Sequence, residues 1–193
     1  MTGLTTAFIA AIFLSGCATQ LTVDDGRQLD SHLLAEMQAY GEAAAVIRPA
    51  IVRAAALNDS NCSTQYELPF EVLTSYGLDD VDAKVAWVRA LGVDENLTVI
   101  AADPASGLKA GDIVAQVAGY KSRNKVKMAT ALLEARDSGE PFTVELASGE
   151  RVTVAPFKIC RGHVLIASPF EPTAQGYHWT QSMHPLEVFH TPL

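Results

Sequence analysis

Basic residues are scarce in this chain: 193 residues carry 14 Lys+Arg against 22 Asp+Glu, a formal charge of −8. That balance argues against a nucleic-acid partner, because too few cations are present to line a groove for a polyanion. Cysteine is scarcer still, and three residues are too few for a disulfide scaffold. Aromatics make up 7% of the chain; Trp87 and Trp179 with Tyr177 read as core or interface residues and not as a ligand cage. There is no Gly-rich phosphate loop, no G-x-S-x-G elbow and no paired cysteine–histidine motif, so no catalytic residue is named and no cofactor is expected. What remains, 49% hydrophobic and 19% charged residues with 13 Gly and 9 Pro, is the composition of a globular protein and not of a disordered tail or a collagen-like rod. The length predicts one domain with a helical appendage.

The first residues are distinctive. Residues 1–14 hold no charged side chain, and an apolar run from Ala7 to Leu14 is followed at once by Ser15, Gly16 and Cys17. This is a secretory apolar region with a small-residue exit, and it is shorter than the roughly 20 apolar residues of a membrane-spanning helix. Leu14-Ser15-Gly16-Cys17 resembles the bacterial lipobox, in which the cysteine thiol is acylated and becomes the new N-terminus. The alternatives are an ordinary signal sequence or an N-terminal core helix. A lipidated Cys17 would hold the mature chain to a membrane surface, since two or more acyl chains anchor where one would exchange. With Ala18 following the cysteine, resemblance to Gram-negative lipoproteins implies the outer membrane, the protein facing the periplasm. That compartment is oxidising. Cys62 and Cys160 would then be the two thiols left, and they either pair or stay free and buried. Closing a loop of that length would stabilise the fold by about 4–5 kcal/mol in the chain-entropy model.

Residues 24–57 carry a helical stripe, with Leu33, Met37, Tyr40, Ala44, Ile47, Ile51 and Ala54 at alternating steps of four and three. Pro49 is expected to kink or divide that helix. Residues 82–91 predict a short helix, and residues 97–101 a buried strand. Next come a turn at 103–106, the segment Gly107-Leu108-Lys109-Ala110-Gly111-Asp112, a strand at 115–118 and a turn at Gly119. Asn124 is placed to cap a helix reaching about Ala135, with Val126, Ala129, Leu132 and Leu133 inward. Residues 142–146 and 151–154 alternate as a hairpin turning at Gly149.

This order, with Gly107-Leu108 and Gly111-Asp112 at its centre, resembles a PDZ domain of the bacterial, HtrA-like arrangement over about sixty residues. The resemblance implies binding of peptide or protein C-termini by strand addition to an open sheet edge, a neighbouring helix giving specificity and a glycine-bearing loop capturing the terminal carboxylate. Carried onto this sequence, the loop is Leu91-Gly92-Val93, with Gly92 presenting free amides and Arg89 adding charge nearby. The helix contacts are Val126, Thr130 and Leu133. The other reading of these positions is an ordinary helix stop and core residues. A lipoprotein signal, a helix ending near one cysteine, a PDZ-like module and a second cysteine also resemble the N-terminal half of lipoprotein zinc metallopeptidases of the HtpX and CAAX-protease kind. The His-Glu-x-x-His motif of that class is absent although the tail holds His163, His178, His184 and His190, and the six-residue spacing of the last three does not put them on one helical face, so no metal site is named.

The expectation is therefore an α+β chain: a signal peptide at 1–16, a helical region at 17–66, a PDZ-like small β-barrel or sandwich with one or two flanking helices at 67–167, and an irregular tail at 168–193. Its expected role is peptide binding without catalysis from a lipid anchor. The competing readings are the anchoring part of a metallopeptidase and a structural envelope protein.

Overall fold

A computed structural model describes residues 24–161. In these residues the elements are α1 (Ser31–Ala54), β1 (Thr64–Glu67), β2 (Phe70–Leu73), α2 (Val81–Leu91), β3 (Leu97–Ala102), β4 (Ile113–Val117), α3 (Lys125–Ser138), β5 (Phe142–Leu146), β6 (Arg151–Val154) and β7 (Phe157–Cys160). The architecture is α+β, as the pattern of elements predicts. Strands β2-β3-β4-β5-β6 form one antiparallel sheet, and β1 pairs with β7 in a separate antiparallel ribbon.

The sheet does not close into a barrel, which corrects the expected shape. The reason lies between β6 and β7. Ala155 and Pro156 separate the two strands, and proline has no amide to give to a ladder, so the chain leaves the main sheet there and pairs with β1 instead.

Local signals explain most element ends. Asp30 caps α1 by accepting from His32 N–H, Asp80 caps α2 at Asp82 and Ala83, and Asn124 caps α3 at Lys127. Asp112 Oδ2 accepts from Lys109 N–H at 2.9 Å, tying the Gly107–Asp112 loop. Helix α1 is not divided at Pro49. The helix is packed on both sides of it, Ala44 before and Ile51 after being buried, so packing outweighs the one lost backbone bond.

Two cores lie on opposite sides of β3. Leu97 and Val99 join Met128 and Leu132 of α3 with residues of β4, β5 and β6, whereas Ile100 and Ala101 join Met37, Tyr40 and Ala44 of α1 with Ala86, Trp87 and Val93. A strand covered on both faces is read as a continuous apolar run, which is what residues 97–102 are. Helix α1 is thus built into the fold. The expected boundary at 66/67 cuts through β1, and the strand-built unit starts at Thr64, where β1 meets β7. Cys62 and Cys160 fasten that meeting point, their sulfurs within bonding distance and their Cα atoms 5.5 Å apart.

Candidate functional site

The loop expected to hold a carboxylate is occupied with other work. Gly92 is the left-handed C-cap of α2 (φ 66°). Its N–H donates to Val88 O at 3.0 Å, and Val93 N–H donates to Trp87 O at 3.2 Å. Both amides therefore close the helix end, with Gly92 as an αL cap. Val93 is buried and Leu91 packs against the same core, under α1. The free amides expected at Leu91-Gly92-Val93 are not available, because one glycine signal serves both kinds of loop and here it stops a helix. Arg89 is committed as well: its guanidinium makes two hydrogen bonds of 2.6 Å to Asp24. That partner, with a hydrogen bond from Gly26 N–H, holds the Asp24 carboxyl down at about 2.

Helix α3 faces the core in part as expected: Leu132 is buried and Ala129 packs against the same core, but Met128 joins them, while Val126 and Leu133 are 54% and 48% exposed. Thr130 is exposed too, its hydroxyl donating back to Val126 O at 3.0 Å. Residues 91–93 and the side chains of Val126, Thr130 and Leu133 are not brought together; the first belong to the α1–α2 core, the second to the outer surface of α3. Thr130 borders a cleft of about 470 Å³ with Val117, Ala118, Tyr120, Lys127 and Glu134.

The open edge lies elsewhere, on β1. Arg161 N–H donates to Ser63 O at 2.7 Å, so Ser63 and Arg161 form a hydrogen-bonded pair, and such pairs alternate along an antiparallel ladder. With Gln65 opposite Ile159 and Glu67 opposite Phe157, those two residues bond to β7, and Thr64 and Tyr66 turn their N–H and C=O groups the other way. The far side of β7 agrees with this phase. Asn58 accepts from Cys160 N–H at 3.0 Å and donates to Lys158 O at 2.8 Å, so the backbone groups of Lys158 and Cys160 point away from β1. Among the described residues, the outward groups of Thr64 and Tyr66 meet no partner.

A cleft of about 460 Å³ runs along this edge. It is lined by Thr64, Gln65, Tyr66 and Glu67 together with Arg136, Asp137 and Arg161. All four residues of β1 border it and no residue of β7 does, which puts it on the strand's unpaired side, against the last turns of α3. Helical spacing places Leu133 and Val126 on the stripe that leads back from Arg136 through Ala129. The apolar positions expected to touch a ligand thus lie on the same helix flank as the cleft, one to three turns from it.

Charged groups surround the strand. Arg136 Nε donates to Asp137 Oδ1 at 2.8 Å beside the cleft. Near Glu67, Arg48 of α1 reaches Leu68 O at 3.3 Å, Glu67 at 3.5 Å and Glu71 at 3.1 Å. Tyr40 OH donates to Glu71 Oε1 at 2.7 Å, and Gln65 Nε2 to Glu67 Oε1 at 2.9 Å. The Lys158 ammonium stands over the Tyr66 ring, 5.4 Å from its centre, and Tyr66 in turn lies where a side chain at Gly139 would go.

None of Thr64, Tyr66, Arg136 or Arg161 is singled out by sequence reasoning. The usable signal was the cysteine pair: joining Cys62 to Cys160 sets the residues on either side of them next to one another, and Thr64-Gln65-Tyr66-Glu67 and Phe157-Lys158-Ile159 then read as facing strands.

No protein-family model matches the chain, and no curated protein matches it. Among the described residues no cluster of three or more His, Cys, Asp or Glu is placed to hold a metal ion, and no helix is long and apolar enough to cross a membrane. Cys17, the proposed lipid attachment point, and the four tail histidines lie outside the described residues.

Proposed function

We propose that this protein binds peptide or protein termini by strand addition at the outer edge of β1, with α3 as the wall of the groove, and that it does so from a lipid anchor at Cys17 on the periplasmic side of an outer membrane. The observation that carries the reading is the pair of outward backbone sets at Thr64 and Tyr66 beside a cleft of about 460 Å³. An extended guest satisfies those groups with the alternate bonds of an added strand, and its side chains then face α3 on every second residue. Burying unpaired backbone groups without such a guest would be costly, so an edge like this is either solvated or used. The binding role comes from the PDZ-like order of elements, and the location of the site moves from Gly92 to β1.

The test separates the two sides of the strand. Replacing Thr64 with proline deletes an outward donor and no bond to β7. The variant should melt within a few degrees of the parent and bind its best peptide at least tenfold more weakly in a fluorescence-polarisation titration. Equal affinity in the two proteins would place peptide binding somewhere other than this edge.

A further inference from the structure

A second surface of the molecule suits a different kind of partner. We propose that the turn before α3 and the first turn of that helix dock on a bilayer carrying anionic phospholipid headgroups, with Lys121, Arg123, Lys125 and Lys127 meeting the phosphates while Tyr120 and Val126 enter the interface. This contact is separate from the anchor at Cys17 and from the β1 edge.

Charge is the first observation. Four of the chain's 14 basic residues fall within positions 121–127, and no acidic side chain occurs from Ile113 to Leu133. Among the described residues none of the four has a carboxylate partner, whereas Arg27, Arg48, Lys84, Arg89, Arg136 and Arg151 each hold one. Lys121, Arg123 and Lys127 are exposed and Lys125 is half-buried. Two of these lysines stand in the first turn of α3, which holds no acidic residue. Cations at the positive end of a helix dipole weaken the helix, so their placement there does not serve the fold. The chain as a whole carries a formal −8, and an anionic surface repels most of it. Because screening limits each charge to about 8–10 Å, a local cationic patch can still approach, and it sets which side faces the membrane.

The fold fixes the apolar part of the surface. Met128 and Leu132 hold one side of α3 on the core, so Val126 and Lys127 turn outward, and both are exposed. Tyr120 is exposed too and borders the same cleft as Lys127. It is carried on a two-residue turn in which Ala118 and Gly119 have φ of 48° and 83°, closed by hydrogen bonds of 2.7 and 2.9 Å between Val117 and Tyr120. Ala118 is the one residue other than glycine with positive φ among the described residues, so the cost of a left-handed alanine falls on the turn that holds Tyr120 in place. A tyrosine and an aliphatic side chain flanked by Lys and Arg match the headgroup boundary, where apolar tips enter and long cationic side chains reach phosphate. Glu134, the acidic residue bordering that cleft, lies about 10 Å along the helix from Lys127. The β1 cleft meets α3 at Arg136 and Asp137, about 15 Å from Val126, so docking leaves the strand edge open.

The experiment uses the full chain with Cys17→Ser, so that no acyl chain contributes, and a fluorophore attached through Thr130→Cys, one turn along α3 from Val126; Cys62 and Cys160 are already joined. Vesicles of phosphatidylcholine, with and without phosphatidylglycerol, carry a quencher at headgroup depth. Expected is quenching on the phosphatidylglycerol vesicles alone, relieved by salt, and none for the same fluorophore attached through Ser148→Cys in the exposed turn between β5 and β6. Each cation near an anionic surface contributes about fivefold to partition, so replacing all four with glutamine should raise the lipid needed for half-maximal quenching at least tenfold. Tyr120→Ser should weaken quenching severalfold with its salt dependence kept. Equal quenching on the two kinds of vesicle, no quenching at position 130, or an unchanged titration in the four-glutamine variant would overturn the inference. A soluble acidic peptide that binds through the four cations while position 130 stays unquenched on vesicles would also overturn it, and would assign the patch to a protein partner.

Discussion

Two helices of this protein end in the same way and are used differently. Both α2 and α3 stop at a left-handed glycine, Gly92 with φ 66° and Gly139 with φ 72°. The end of α2 is sealed: Leu91 and Val93 pack into a core beneath α1, and the amides are spent on α2's own carbonyls. The end of α3 stands beside an unpaired strand edge, with Tyr66 laid over Gly139. A glycine stop is a statement about backbone conformation alone. Whether it neighbours a binding site depends on what the rest of the chain lays over it, and here α1 covers one and leaves the other.

The contrast can be broken from the α1 side first. Arg48 is the residue by which the sealing helix also grips the far end of β1, and its side chain is only 14% exposed. Arg48→Ala leaves Glu67 and Glu71 without their partner in a half-buried site, which should cost about 2–3 kcal/mol of stability and be seen as a lowered denaturant midpoint with an unchanged slope. A loss under about 0.5 kcal/mol would mean that α1 and β1 are held together by packing alone.

Substituting the two glycines sharpens it. Each Gly→Ala change places a Cβ in the left-handed region, at about 1–2 kcal/mol. At Gly92 the added methyl meets nothing, so Gly92→Ala should lose that much stability and keep peptide affinity within twofold. At Gly139 the methyl falls on the Tyr66 ring. Gly139→Ala should therefore push the ring along the cleft, losing similar stability and changing affinity severalfold. The reverse pattern, with Gly92→Ala the one that alters binding, would return the site to the loop at the end of α2.

What was legible in the sequence is what local chemistry controls. The buried strand expected at residues 97–101 and found at Leu97–Ala102, the turn at 103–106, the Asn124 cap and the hairpin turning at Gly149 each depend on residues a few positions apart, and each is close to where the pattern puts it. On α3 the expected inward positions Ala129 and Leu132 hold, whereas Val126 and Leu133 were misread because Leu132 and Leu133 are adjacent and Val126 stands two residues from Met128, so apolar residues occur on more than one side and the helix has little periodic contrast. The candidate site was illegible for a different reason. Its edge exists only because β1 pairs with β7, from Glu67 opposite Phe157 to Thr64 opposite Cys160, far along the chain, and a four-residue polar strand announces neither its partner nor which of its sides is left over. The departure of the chain at Pro156, which creates that ribbon, reads in sequence as an ordinary break between strands.

Hydrogen exchange of the four β1 amides in the unliganded full chain tests the central claim most directly. Gln65 and Glu67, bonded to β7, should be protected, and Thr64 and Tyr66 should exchange at rates typical of open backbone and slow only when peptide is added. Protection of Thr64 and Tyr66 before any peptide is present would contradict the account, because the edge would then already be paired within the protein.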